Sequence, residues 1–128
     1  MKVLDTSFLI DLMHGDPKTK PIAELNEILL TTQINMYEIM VGLFYKNMKP
    51  SKLLQIQEMF ENIRVLPLDE NGIMRSAEIS ANLIKRGEII EDCDCLTAGI
   101  ALSRGISTIV TANKKHFQRI KGITVESY

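Results

Sequence analysis

Short apolar runs and amphipathic stretches take turns along the whole chain. Lys2 to Asp5 is an apolar run closed by an acid, and Thr6 or Ser7 behind it can cap a helix through Met13. After Asp16 and Pro17 a helix is predicted from about Pro21 to Glu27, then a β-rich segment from Leu29 to Ile34 and a helix from Met36 to Lys46. Pro50 and Ser51 open a further helix ending near Asn62, with Leu53, Ile56, Phe60 and Ile63 on one face. Val65 to Leu68 reads as a brief buried strand. Asp69 then caps a long helix whose apolar stripe is Ile73, Ala77, Ala81 and Ile84, with Lys85, Arg86 and Gly87 as its stop. Asp92 or Asp94 begins the next helix, which runs to about Arg104. Ser107 to Thr111 and Ile123 to Glu126 are strands around a helical turn near His116. Strands separated by helices predict an α/β fold, a parallel sheet covered on both faces.

At 128 residues the chain suits one domain, residues 1–128, without linkers or repeats. Hydrophobic residues at 45% and charged residues at 24% are the balance of a globular protein with a real core. The longest strongly apolar run, Ile39 to Tyr45, is far short of the roughly 20 residues that cross a bilayer. Asp5 interrupts the only hydrophobic stretch near the start and no small-residue cleavage site follows, so a cytoplasmic location is expected. Cys93 and Cys95, one residue apart, are poor disulfide partners and are expected reduced and buried. His14 and His116 lie far from them in sequence, which argues against zinc. The net charge of −1 decides nothing about nucleic acid, but Lys114, Lys115, Arg119 and Lys121 form a late basic cluster that suits a phosphate backbone.

The acids carry the chemistry. In an open parallel sheet, ligands bind outside the carboxyl ends of the strands, where Asp5 falls. Taken alone Asp5 is a helix cap. Glu38, near the start of a helix that follows another strand, can project from the same edge, and Gly42 one turn on leaves room for something to approach. In Glu91 to Gly99 the acids also suit a helix start, but Ala98 and Gly99 leave the helix slim beyond Asp94, which makes Asp94 the better ligand. Asp92 is a supporting acid, a cap or an additional ligand. Crowded carboxylates are driven toward their neutral forms unless a cation is present, and a divalent ion resolves that conflict.

Four segments, Val-Leu-Asp-Thr-Ser-Phe-Leu-Ile-Asp (Val3 to Asp11), Asn-Met-Tyr-Glu-Ile-Met-Val-Gly (Asn35 to Gly42), Asp-Cys-Leu-Thr-Ala-Gly-Ile-Ala (Asp94 to Ala101) and Val-Thr-Ala-Asn-Lys-Lys-His-Phe (Val110 to Phe117), resemble successive PIN-domain motifs. They stand in the family's order over essentially the whole chain, and its length resembles the VapC toxins of toxin–antitoxin pairs. The resemblance implies a three-layer fold with a five-stranded parallel sheet between helices. It makes Asp5, Glu38 and Asp94 the catalytic and metal-holding acids, with Thr6 or Ser7 as a hydroxyl near the metal. Asn113 matches a fourth position where many relatives have Asp, so one firmly held ion is expected rather than two.

Magnesium or manganese suits such an oxygen-rich site. A metal-bound water needs no 2′-hydroxyl, so RNA cleavage with 5′-phosphate and 3′-hydroxyl products is expected, with Lys114, Lys115 and Arg119 positioning the backbone. An aspartyl-phosphate enzyme would have Asp-x-Asp at the first strand, where this chain has Ser7 two places on. The remaining alternatives are a non-catalytic PIN-like module that binds RNA or acts as a scaffold, and a PIN nuclease of RNA processing. The apolar residues of the Met36 to Lys46 helix, with Leu54 and Met59 on the next, favour association. The resemblance implies a homodimer and an antitoxin whose tail crosses this surface to the acids.

Overall fold

The computed structural model describes residues 1–128. Its elements are β1 (Lys2–Leu4), α1 (Thr6–Met13), a 3-10 turn (Pro17–Thr19), α2 (Lys20–Ala23), β2 (Leu29–Thr32), α3 (Gln33–Tyr45), α4 (Pro50–Glu61), β3 (Arg64–Leu66), α5 (Glu70–Lys85), α6 (Asp92–Ser103), β4 (Thr108–Val110), α7 (Lys114–Phe117) and β5 (Thr124–Glu126). All four strand pairings are parallel, in the order β3-β2-β1-β4-β5. β1 is central, with Val3 opposite Leu30 on one side and Ile109 on the other.

Alternation along the strands splits the core into the two halves of a three-layer fold. Val3 and Ile109 face α5, α6 and α7 with Leu83, Ile100 and Phe117. Leu4 and Val110 face α1 to α4 with Phe8, Leu9, Ile39 and Ile56. The expected three layers and five parallel strands are what is found.

Local chemistry moves several boundaries. Asp16 accepts a hydrogen bond from the Lys18 amide and starts a 3-10 turn, so α2 begins at Lys20 and is one turn long, not a helix reaching Glu27. Thr32 ends β2 and caps α3: its hydroxyl accepts from the Ile34 and Asn35 amides while the Asn35 side chain bonds back to the Thr32 amide. The helix therefore starts three residues before the predicted Met36.

The long helix α5 has the predicted cap, Asp69 accepting from the Gly72 amide, but a neighbouring face is the buried one. Gly72, Ser76, Ile79 and Leu83 point inward, while Ile73, Ala77, Ala81 and Ile84 are exposed. The reason is close packing against α6, where a Cβ added at Gly99 would lie 1.9 Å from the Ser76 hydroxyl and 2.7 Å from Ser76 Cα and N. The slimness beyond Asp94 thus serves helix packing and not a ligand. Gly42 is different again: an added Cβ there meets nothing within 4 Å, so no part of this chain uses the room it leaves.

One buried side-chain polar atom has no hydrogen-bond partner, the Thr97 hydroxyl on α6. Thr97→Val keeps the branched shape and removes an unpaired group, so it is expected to stabilise the fold by about 1 kcal/mol. A urea midpoint that falls instead would show that the hydroxyl has a partner in solution.

Candidate active site

Asp5 occupies the N-cap position of α1, yet its side chain makes no capping bond. It is 3% exposed and its two oxygens are held from elsewhere. Asn35 Nδ2 donates to Oδ1 at 3.2 Å, and the Thr111 and Ser7 hydroxyls lie at 2.7 and 3.2 Å from Oδ2. A residue serving only as a helix cap would not gather donors from the ends of three strands.

The capping box of α3 orients the rest. Asn35 accepts at its carbonyl oxygen from Thr32, so its amide nitrogen faces Asp5 and the Thr6 hydroxyl, 3.0 Å away. Thr6 in turn donates to Glu38 Oε1 at 2.8 Å. Asp94, in the first turn of α6 and 6% exposed, contacts His116 Nδ1 through Oδ2 at 2.9 Å. Thr111 also accepts from the Asn113 amide, and the Ser7 hydroxyl accepts from the Ala112 amide, which ties the loop after β4 to β1.

Glu38 and Asp94 both feel burial and the charge of Asp5. Burial raises the Glu38 carboxyl above the usual range against the Thr6 hydrogen bond, and Asp5, Asp94 and Glu91 add repulsion. Burial also raises Asp94, opposed by His116 and reinforced by Asp5 and Glu91. No Lys or Arg forms an ion pair with Asp5, Glu38 or Asp94.

In chelator, proton uptake by the folded state should therefore raise stability as pH falls through the elevated values, with the gain complete below the unfolded-state values near 4. Urea midpoints should increase as pH is lowered from neutrality toward the unfolded-state values near 4. A falling midpoint in wild type over that range would contradict the shifts.

Of the predicted residues, Asp5, Glu38, Asp94, Thr6 and Ser7 come together at the carboxyl edge of the sheet. Asp92 does not: it is exposed beside Ile73, Ala77, Ser80 and Cys95 on the α5 side, and Glu91 is the acid that acts on Glu38 and Asp94. The Asn113 side chain is exposed and makes no hydrogen bond. Lys114 and Lys115 are exposed and line a cleft of about 510 Å³ with Asn113, His116 and Gln118. Arg119 is half-buried and bonds the Ile89 carbonyl. Asn35, Thr111 and His116 are the site residues that the motif reading missed. The Thr32/Asn35 capping pair was the one signal available for any of them.

The donor set is hard oxygen, it carries excess negative charge, and Asp94 Oδ1 and Glu38 Oε2 have neither a protein donor nor a seal from solvent. That fits a divalent cation of the magnesium type. No three Asp, Glu, His or Cys groups stand close enough together to hold one ion jointly. Magnesium, however, is commonly held by one or two carboxylates and its own waters.

A parallel sheet with buried carboxylates at the point where its connections diverge defines the class, an α/β domain of the PIN type. The PIN domain family model matches residues 2–123. The tRNA(fMet)-specific endonuclease VapC of Salmonella typhimurium is 32% identical over 98% of this chain and 96% of its own length. VapBC from the same organism, bound to DNA, superposes with a TM-score of 0.87 at 26% identity, covering 98% of this chain and 96% of that one. Rickettsia felis VapBC2, bound to a promoter DNA fragment, gives a TM-score of 0.90 at 21% identity over 99% and 98% of the two chains. The chain belongs to the PIN-domain family, among its VapC-type members.

Proposed function

We propose that this chain is a divalent-metal-dependent endoribonuclease and the toxin of a VapBC-type pair. The observation that carries this reading is the set of three buried or half-buried carboxylates, Asp5, Glu38 and Asp94, gathered without a lysine or arginine partner in a VapC-type chain. A bound magnesium or manganese ion would supply a water of lowered pKa and positive charge beside the scissile phosphate. Asp94 and Glu38 would hold it through their free oxygens. Asp5, fixed by Asn35 and Thr111, would complete the negative field, and Thr6 would set the Glu38 rotamer. Lys114 and Lys115 would bind RNA phosphates, whereas Arg119 is better suited to holding the α7 loop. Asn113 would face the substrate as a neutral group.

Incubation with structured RNAs, initiator tRNA among them, in magnesium or EDTA tests the reading. Cleavage should require the ion and leave 5′-phosphate and 3′-hydroxyl ends. Equal cleavage in EDTA, or 2′,3′-cyclic phosphate ends, would overturn it, and metal binding without cleavage would favour a binding module.

The partner reading rests on α3, where Ile39 and Leu43 are buried while Tyr37, Val41, Phe44 and Tyr45 remain exposed, Tyr45 by 85%. Leu54 of α4 is also exposed. We assign these exposed residues to a homodimer and to an antitoxin tail whose basic side chain pairs with the acids. Sedimentation should show self-association, and a monomer persisting at high micromolar concentration would defeat the homodimer. Cleavage unaffected by the neighbouring antitoxin would defeat the inhibition.

A further inference from the structure

We propose that His116 is the positioning residue of the acidic site, holding Asp94 Oδ2 through its Nδ1–H so that Oδ1 alone is presented to the cation. The proposal rests on the metal-dependent reading above and adds a residue that neither the motifs nor the comparisons single out.

The contact is built into the fold. His116 stands immediately before Phe117, which is fully buried in the core on the α5–α6 side of the sheet. The other end of that segment is tied to β1, because the Asn113 amide bonds the Thr111 hydroxyl and Thr111 bonds Asp5. With both ends of a four-residue helix fixed, the backbone sets the ring against Asp94, although the His116 side chain is itself 38% exposed. It meets a side chain that is 8% exposed, while Lys114 and Lys115 point to solvent.

The chemistry favours imidazole over either lysine. A carboxylate only accepts, so the 2.9 Å contact with ionised Asp94 places the proton on Nδ1 and leaves Nε2 outward. An imidazole N–H fixes the carboxylate without the permanent positive charge that lysine or arginine would set beside a dication. With two side-chain torsions the ring also loses little freedom in holding this position. Hydrogen-bonding partners of metal-holding carboxylates typically change metal affinity or activity by about 10–100-fold when removed.

The test uses calorimetric manganese binding, cleavage kinetics and thermal unfolding on wild type, His116→Ala, His116→Asn, His116→Gln and Asp94→Asn. His116→Ala should weaken manganese binding and lower kcat by about 10–100-fold, with KM for RNA little changed. Asn carries an amide N–H where Nδ1 stands and should recover manganese affinity to within about fivefold of wild type, whereas Gln should behave as Ala. Wild-type manganese affinity in His116→Ala overturns the proposal, even if KM for RNA rises. Equal loss in the Asn and Ala variants also overturns it, since the ring would then act through Nε2. Loss of manganese binding explained by a lower unfolding temperature in Ala and Asn alike would reduce His116 to a structural contact. Failure of wild type to bind manganese, or normal binding by Asp94→Asn, would remove the metal-dependent reading itself, an outcome distinct from failure at His116.

Discussion

Glu38→Gln and Asp94→Asn are each expected to lower RNA cleavage in magnesium by about a thousandfold while leaving the metal-free fold as stable as wild type or more so. A cation that stabilises growing phosphate charge contributes several kcal/mol, and each ~1.4 kcal/mol is a factor of ten in rate. Stability moves the other way because both carboxyls are raised by burial and by the Asp5 and Glu91 charges, so an uncharged amide is better accommodated there. Asp5→Asn belongs with them in activity but not in stability. Both of its oxygens accept hydrogen bonds, from Asn35 at one and from Thr111 and Ser7 at the other. An amide nitrogen would face donors, at a cost of about 1–3 kcal/mol. Thermal unfolding in EDTA and single-turnover cleavage in magnesium separate the two effects. Wild-type cleavage in any two of the three variants would show that the acids are not the reacting centre.

Gly99→Ala is expected to destabilise the domain by about 3 kcal/mol or more, the upper end for an added methyl in a close-packed interior. The new Cβ would fall 1.9 Å from Ser76 Oγ, which can turn away, but also 2.7 Å from Ser76 Cα and N, which cannot move without shifting α5. Because Asp94 lies on the same helix, activity should fall with the unfolding temperature. The double variant Ser76→Gly with Gly99→Ala should not restore stability, since the backbone clash remains. An unfolding temperature within a degree or two of wild type would show that α5 and α6 are farther apart in solution.

The periodicity in the sequence was enough to place every strand and the main helices, since each strand is a short apolar run between helix-forming segments. It was not enough to orient α5, which carries apolar residues on two faces. Ile73 and Ile84 look like core by hydropathy, but Gly72 and Ser76 are what allow α6 to approach. The acids could be read because a carboxylate at a strand's carboxyl end is conspicuous. Their supports could not, because Thr111, Asn35 and His116 are ordinary residues whose value lies in hydrogen bonds across 106, 30 and 22 positions of chain. Asn113 was read from its motif position, yet the turn into α7 directs its neighbour three places on toward Asp94.

The central place of β1 orders events in time. The first strand made can pair early with β2, but its other edge waits for β4, and the Asp5 amide waits for the Val110 carbonyl. Contacts so remote along the chain close slowly and late. A ribosome making this protein therefore carries Asp5 and Asp94 without their last supports, Thr111 and His116, until those residues have emerged. Chains released before that point lack β4 and the Thr111 and His116 contacts that complete the acid cluster.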